Sequence, residues 1–198
     1  MKKRILVILK ANATIGTGHL MRVKGLLKYF SDDELMLLSD SLGKELYPIC
    51  NEYQKIYTAT MDSIAATALS LRPDLVIIDH YYIEEKIESQ LYPHMKVAII
   101  DDLANRKHCC HVLFDQGLMG TPERYKGLVP ESCKLCCGNT YSMVKECFAE
   151  LKHTNKDDNS CDTYRWSMSE SGVGLLSVRK VKDQYCPPFL LCPEEWRP

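Results

Sequence analysis

The chain has 198 residues, of which 45% are hydrophobic and 26% charged, and its formal net charge is −1. This length suits one α/β domain of about 150 residues with an appendage. A near-neutral charge without a basic stripe argues against a nucleic-acid partner. No apolar run approaches the roughly 18–20 residues of a membrane span, and the run after the basic N-terminus is too short for a signal peptide. We expect a monomeric cytoplasmic protein with neither nucleic acid nor membrane as partner.

The first predicted strand, residues 5–9, leads through a glycine turn into a helix over residues 20–30. The turn is IGTGHLMR (15–22), and apolar residues recur at helical spacing after it. Glycine permits a positive φ and lets a ligand approach closely. His19 falls at the helix N-terminus, where the dipole favours an uncharged imidazole, so it is a candidate general base. A turn whose histidine only caps the helix is the alternative, and G-x-G-H is not the dinucleotide fingerprint.

Strands and helices then alternate along the first half of the chain. Further strands are predicted over residues 34–38, 75–79, 97–100 and 112–115, and further helices over residues 43–50, 63–71 and 84–91. Continuous apolar strands separated by helices are typical of a parallel sheet covered on both faces. The fold class predicted is therefore α/β, with a doubly wound, mostly parallel, Rossmann-like sheet.

The alternation stops in the C-terminal part of the chain. Residues 117–137 contain several glycines and prolines and are predicted to be irregular, and residues 154–159 (TNKDDN) resemble a linker. Beyond them, prolines exclude a long helix. We predict one domain over residues 1–152 and an irregular, poorly packed tail over residues 153–198.

Polar residues follow three of the predicted strands. Ligands of doubly wound sheets bind beyond the carboxyl ends of the strands, so these residues should share one edge. One cleft is expected to hold His19, Asp79, His80 and Tyr81. Asp101 and Asp102 end a third strand, and capping of the next segment is an equally good explanation for them.

Ten cysteines are present, and several cluster between residues 109 and 137. Cys133-x-x-Cys136 with Cys109, Cys110 and His111 contains zinc-ligand types. A second C-x-x-C is missing, however, and adjacent ligands chelate poorly. Without a signal sequence a disulfide framework is not expected either. We predict reduced, partly buried thiols and no metal.

Six segments in order carry a family resemblance. They are residues 15–22 (IGTGHLMR), 75–81 (LVIIDHY), 101–108 (DDLANRKH), 113–116 (LFDQ), 124–130 (RYKGLVP) and 138–148 (GNTYSMVKECF). On these segments the chain resembles the bacterial UDP-2,4-diacetamido-2,4,6-trideoxy-β-L-altropyranose hydrolase family of pseudaminic acid biosynthesis. The resemblance extends over roughly residues 4–152 and corresponds to an N-terminal half.

The resemblance implies the N-terminal domain of a glycosyltransferase-B-type fold. It also implies a hydrolase in which water attacks the anomeric carbon of a UDP-sugar, releasing UDP and the free sugar with inversion. His19 would activate that water without a metal or cofactor. Inversion requires a base opposite the leaving group, and UDP leaves with little acid assistance. The substrate-binding residues expected are Gly16, Thr17, Gly18, Arg22, Asp79, His80 and Tyr81.

The chain departs from the family pattern in places. Asn12 and His111 each stand where the family pattern has an aspartate, and Lys145 stands where it has an arginine. Family members continue for about another domain's length, beginning with an apolar strand and a Gly-Gly turn that helps to bind the nucleotide, and residues 153–198 show neither. We therefore expect slow or no hydrolysis by this chain alone. Two alternatives stay open. The chain is a non-catalytic remnant or sugar-binding domain, or it is a glycosyltransferase of the same architecture.

Overall fold

The computed structural model describes residues 2–12 and 14–143, together with the backbone of residues 163–167 and 173–177. The strands of the first part are β1 (Arg4–Leu9), β2 (Glu34–Ser39), β3 (Lys55–Thr58), β4 (Leu75–Asp79), β5 (Lys96–Ile100), β6 (Val112–Asp115) and β7 (Lys134–Cys137). The α-helices are α1 (Gly18–Leu27), α2 (Ile64–Leu71) and α3 (Glu85–Leu91). Short 3-10 helices span Lys28–Phe30, Lys44–Ile49, Pro122–Tyr125 and Asn139–Tyr141.

The seven strands form one sheet in the order β3-β2-β1-β4-β5-β6-β7, and every neighbouring pair is parallel. Side chains alternate across the strands. Ile5, Val7 and Leu9 of β1 therefore pack with α1 on one face of the sheet. Leu6 and Ile8 pack with α2 on the other face. Helices on both faces of a parallel sheet confirm the predicted α/β, doubly wound, Rossmann-like arrangement.

Two helical segments differ in detail from the sequence predictions. The helix predicted over residues 20–30 begins two residues earlier, at Gly18, and its last three residues form a 3-10 helix. The segment 43–50 holds a 3-10 helix, consistent with the proline at position 48 inside it.

The prediction that residues 117–137 are wholly irregular is wrong. They contain the 3-10 helix Pro122–Tyr125 and the strand β7. β3 at the opposite edge of the sheet was not predicted either. Both are four-residue edge strands with partly exposed side chains, so neither has the continuous apolar run that identifies a central strand.

A second compact unit contains the other described strands, β8 (Thr163–Ser167) and β9 (Val173–Ser177), which pair antiparallel. No strand was predicted there from the sequence. The predicted linker, the boundary at residue 152 and the rest of the tail lie outside the described residues. No helix in the described part of the chain is long and apolar enough to cross a membrane.

Candidate active site

The residues predicted to share a cleft lie near the switch point of the sheet, at the carboxyl ends of β1 and β4. The chain leaves β1 to form α1, and β4 runs beside β1 with Leu9 opposite Asp79. Crevices at such switch points are the ligand sites of doubly wound sheets. The register therefore puts Asp79, the last residue of β4, beside the first turn of α1, which carries His19.

His19 and Asp79 form the central pair of this site. Nδ1 of His19 lies 2.6 Å from Oδ1 of Asp79, and the Asp79 side chain is fully buried. An ionised carboxylate only accepts hydrogen bonds, so the proton of the pair is on Nδ1 of His19. Among the described residues no hydrogen bond reaches Nε2 of His19. This nitrogen therefore keeps a lone pair for a ligand or a water molecule.

Arg22 lies one turn further along α1 and holds two carboxylates. Its Nε donates to Oδ2 of Asp79 at 2.9 Å, and its Nη2 donates to Oδ1 of the same carboxylate. Its Nη1 donates to Oδ2 of Asp102 at 3.0 Å. Burial acts to lower the pKa of Arg22, but Asp79 and Asp102 outweigh it and raise that pKa, so the guanidinium stays charged. Arg22 thus fixes the carboxylate that orients His19.

Tyr81 forms the open side of the site. Its ring meets the His19 imidazole edge-on, with 4.7 Å between the ring centroids, and its hydroxyl donates to Oδ1 of Asp102 at 3.4 Å. Its side chain is partly exposed, and burial together with the charge of Asp102 raises its pKa. The phenol is therefore a neutral hydrogen-bonding group next to the imidazole. Asp102 belongs to this site, whereas Asp101 does not contact His19.

His80 lies at the same edge but is occupied by other partners. Its Nδ1 accepts from the backbone N–H of Tyr82 at 3.1 Å, and its Nε2 donates to Oδ1 of Asp40 at 3.1 Å. Lys10 also donates to Asp40, at 3.0 Å. The His80 side chain is fully buried, and burial lowers its pKa against the opposing effect of Asp40. Direct contact between His80 and a ligand would require these bonds to break.

The glycine turn is organised by Asn12, one of the residues that depart from the pattern of the family the sequence resembles. Its Oδ1 accepts from two backbone N–H groups, those of Thr14 and Ile15, and its Nδ2 donates to Ser41. Gly16 then adopts a φ of 86°, which favours glycine over other residues. A Cβ at Gly18 would meet no described atom within 4 Å, so this part of the turn is open to a ligand.

A second polar cluster supports the loops around the site, and of its members only Asp101 was singled out from the sequence. Nδ1 of His108 lies 2.8 Å from Oε1 of Glu88 on α3, and Nε2 of His108 lies 3.7 Å from Oδ1 of Asp101. The Tyr125 hydroxyl lies 3.1 Å from Oδ2 of Asp101 and 3.2 Å from Oδ2 of Asp115. All five side chains are buried. They join the ends of β5 and β6 to α3.

His108 is positively charged in this cluster. Burial acts to lower its pKa, but the carboxylates of Asp101 and Glu88 raise it to about 9. The pKa of Asp101 moves in the opposite direction: burial acts to raise it, but His108, the backbone N–H of Ala104 and Arg106 lower it well below its usual range. The cluster is therefore an ionised network rather than a set of neutral hydrogen bonds.

The described cysteines are free thiols at Cys50, Cys109, Cys110, Cys133, Cys136 and Cys137. Within residues 2–12 and 14–143 no group of three or more histidine, cysteine, aspartate or glutamate side chains is arranged to hold a metal ion. The fold does not bring together all the cysteine and histidine side chains whose spacing suggested zinc ligands. Cys110 lies beside Cys133, while His111 stacks on the ring of Tyr92 with 4.1 Å between the ring centroids.

Comparison with known proteins shows that the chain is similar to a curated hydrolase. The chain is 29% identical over 155 residues to the UDP-2,4-diacetamido-2,4,6-trideoxy-beta-L-altropyranose hydrolase of Campylobacter jejuni subsp. jejuni serotype O:2. The match covers 74% of this chain and 54% of that protein, so this chain spans about half the length of the relative. No protein-family model matches the chain. The comparison confirms the resemblance predicted from the sequence: the chain is similar to the UDP-2,4-diacetamido-2,4,6-trideoxy-β-L-altropyranose hydrolase family.

Proposed function

We propose that this chain carries the catalytic base of a hydrolase that cleaves a UDP-linked 2,4-diacetamido-2,4,6-trideoxy sugar in pseudaminic acid biosynthesis. The observation that supports it best is the 2.6 Å contact between His19 and Asp79, which leaves Nε2 of His19 as the free base of the pair. The similarity to a curated hydrolase supplies the substrate class. The same proposal includes a cytoplasmic monomer and, over residues 1–152, the N-terminal domain of a glycosyltransferase-B-type fold.

In the proposed reaction Nε2 of His19 accepts a proton from a water molecule as the water oxygen attacks the anomeric carbon. The bond between that carbon and the UDP oxygen breaks, and UDP leaves with the electron pair. Attack from the face opposite UDP inverts the anomeric centre. The imidazolium that forms is stabilised by the buried carboxylate of Asp79, which Arg22 holds in place.

The other proposed binding residues surround this base. Tyr81 and the turn formed by Gly16, Thr17 and Gly18 line the open side of His19, where a sugar would lie. Arg22 is held by two carboxylates, through all three of its guanidinium nitrogens, so we assign it an orienting role rather than contact with the sugar. His80 would act through Asp40 and the backbone of Tyr82.

Release of UDP, followed by chromatography, tests the proposal. The 198-residue chain is incubated in excess over UDP-2,4-diacetamido-2,4,6-trideoxy-β-L-altropyranose, with and without an acceptor alcohol. A parallel sample is fused to the part of the Campylobacter relative that this chain does not match. We expect slow release from the chain, faster release from the fusion, and loss of both in His19→Ala.

Three results would contradict the proposal. UDP release that survives His19→Ala would remove His19 as the base. Sugar transferred to the alcohol in preference to water would identify a glycosyltransferase. Binding of the UDP-sugar without turnover, in both the chain and the fusion, would identify a sugar-binding protein.

A further inference from the structure

The register of the last two strands of the sheet brings two cysteines together outside the candidate active site. β6 and β7 pair from Val112 and Lys134 onward, and Cys110 and Cys133 lie just before these two residues. Sγ of Cys110 is 3.5 Å from Sγ of Cys133. A disulfide needs the sulfurs to approach by about 1.5 Å more, because the S–S bond is about 2.05 Å long.

We propose that Cys110 and Cys133 form a peroxide-sensitive thiol pair, in which Cys133 is the thiol that is oxidised and Cys110 the thiol that resolves it. Cys133 is half-buried and Cys110 is fully buried, so a small oxidant reaches Cys133 first. A reactive thiol with a second thiol in contact is the arrangement from which sulfenic acids condense to disulfides.

The surroundings of the pair lower the pKa of Cys133 against a weak hydrogen bond that its thiol donates to the Lys134 carbonyl oxygen at 3.7 Å. The hydrogen bond from the Cys110 thiol lowers the pKa of Cys133, burial opposes this, and the positive charge of His108 lowers it further. The same pairing, together with burial, raises the pKa of Cys110, so Cys110 keeps its proton. Nucleophilic attack on a peroxide requires a thiolate, and a nearby cation is what makes one available.

The proposed chemistry takes two steps. In the first, the Cys133 thiolate attacks one oxygen of hydrogen peroxide, the O–O bond breaks, and the released hydroxide takes a proton to become water. Cys133 becomes a sulfenic acid and the peroxide is reduced. In the second, the Cys110 sulfur attacks the Cys133 sulfur, the Cys110 proton and the sulfenic hydroxyl leave as a second water, and the S–S bond forms.

Oxidation would join the two segments that enter β6 and β7. The neighbouring Cys109 backbone N–H donates to Oε2 of Glu88 at 2.7 Å, and Glu88 also holds His108. A disulfide at Cys110 would therefore form next to the cluster that supports Asp101.

Peptide mapping of the full chain tests the pair. The native protein is treated with dilute hydrogen peroxide, free thiols are alkylated, and the protein is digested with trypsin without reduction. Cleavage after Lys107, Arg124, Lys126 and Lys134 puts Cys110 in peptide 108–124 and Cys133 in peptide 127–134. We expect these two peptides to be joined, with a mass two hydrogen atoms below the sum of peptide 127–134 and peptide 108–124 alkylated at Cys109.

Cys109→Ser is the matched control, because Cys109 shares the tryptic peptide of Cys110. The link should persist in Cys109→Ser and be lost in Cys110→Ser. In Cys110→Ser, oxidation should stop at a Cys133 sulfenic acid that dimedone traps. Cys110→Ala replaces the buried thiol by a small apolar group and should behave like Cys110→Ser, with circular dichroism verifying that both variants fold.

The proposal fails if the link survives in Cys110→Ser. It also fails if Cys133 remains reduced while other cysteines oxidise. Equal linkage to Cys136 or Cys137 would contradict it as well, since it would show that proximity of Cys110 does not direct the reaction. Oxidation of urea-unfolded protein should give mixed links, because the folded register is what selects the pair.

Discussion

At the scale of single residues, the proposed catalysis depends on the buried Asp79 as well as on His19. Asp79 accepts from His19 and from Arg22, and its side chain is fully buried. It therefore determines which nitrogen of His19 carries the proton. A carboxylate in this place stabilises the imidazolium that forms when water is deprotonated, and an amide cannot.

Asp79→Asn should lower kcat by about 10²–10⁴-fold, because the amide can donate to Nδ1 of His19 and leave the proton on Nε2. KM should change little, since Asp79 is behind the imidazole and not exposed to the sugar. UDP release over a range of substrate concentrations measures both constants. Asp74→Asn is the matched control: it precedes β4 at the opposite end of the strand, where it accepts from the Arg4 backbone N–H.

If Asp79→Asn retained full kcat, the contact between Asp79 and Nδ1 of His19 would not be what orients the base. A rise in KM with unchanged kcat would instead assign Asp79 to substrate binding.

Arg22→Lys should destabilise the fold although it conserves the charge. The planar guanidinium of Arg22 reaches Asp79 through two nitrogens and Asp102 through a third, and one ammonium group cannot make these three bonds in the same geometry. We expect a loss of about 1–3 kcal/mol in the free energy of unfolding, measured in urea. Arg4→Lys, in a partly exposed ion pair with Glu34, should cost less than about 1 kcal/mol. Equal losses of unfolding free energy in Arg22→Lys and Arg4→Lys would contradict the role of the Arg22 guanidinium in holding Asp79 and Asp102.

At the scale of elements, the ionised cluster of Glu88, His108 and Asp101 holds the loop between β5 and β6. The folded state raises the pKa of His108 from an ordinary 6.5 to about 9. The folded protein therefore binds a proton more tightly than the unfolded chain does, and the charged imidazole stabilises the fold. That stabilisation is complete below about pH 6.5 and is lost as the pH rises through about 9.

Stability should accordingly fall between about pH 6.5 and about 9, by at most roughly 3 kcal/mol from this histidine. Urea unfolding across this range measures the effect. His108→Gln should be less stable near neutral pH and should lose most of this pH dependence. His94→Gln, at an exposed position, should keep it. A pH dependence that is unchanged in His108→Gln would show that another group is responsible.

The central elements could be predicted from sequence because burial on both faces demands continuous apolar residues. β1, β2, β4, β5 and β6 all have this pattern. β3 and β7 could not be predicted in this way, since each is a short edge strand with half-exposed side chains. Each of them pairs with a single strand, the one that precedes it in the chain.

The candidate site likewise contains residues that could be predicted from the sequence and residues that could not. The strand ends indicated His19, Asp79 and Tyr81, because parallel topology alone brings them to one edge. Glu88 could not be predicted, since it looks like a surface residue of a polar helix, whereas its buried carboxylate contacts His108 and the Cys109 backbone N–H. The orientation of His80 toward Asp40 was also not evident, because a sequence does not tell which face of the sheet edge a side chain takes.

At the scale of the whole molecule, we propose that residues 1–152 fold as one domain. Both apolar clusters of the sheet are made by residues between Ile5 and Met143. A fragment ending at Lys152 should therefore unfold in urea with one cooperative transition and the same midpoint as the full chain. A lower midpoint or a non-cooperative transition would show that residues 153–198 contribute to the stability of the domain.

In the proposed reaction, water activated by His19 attacks the anomeric carbon of a UDP-sugar. This attack is tested by hydrolysis in ¹⁸O-labelled water. The protein is in excess over the UDP-sugar, and mass spectrometry locates the label in both products. We expect the label in the released sugar, none in UDP, and loss of labelled sugar in His19→Ala. Label in UDP would mean that phosphorus is attacked, and labelled sugar that forms equally fast in His19→Ala would mean that His19 is not the base.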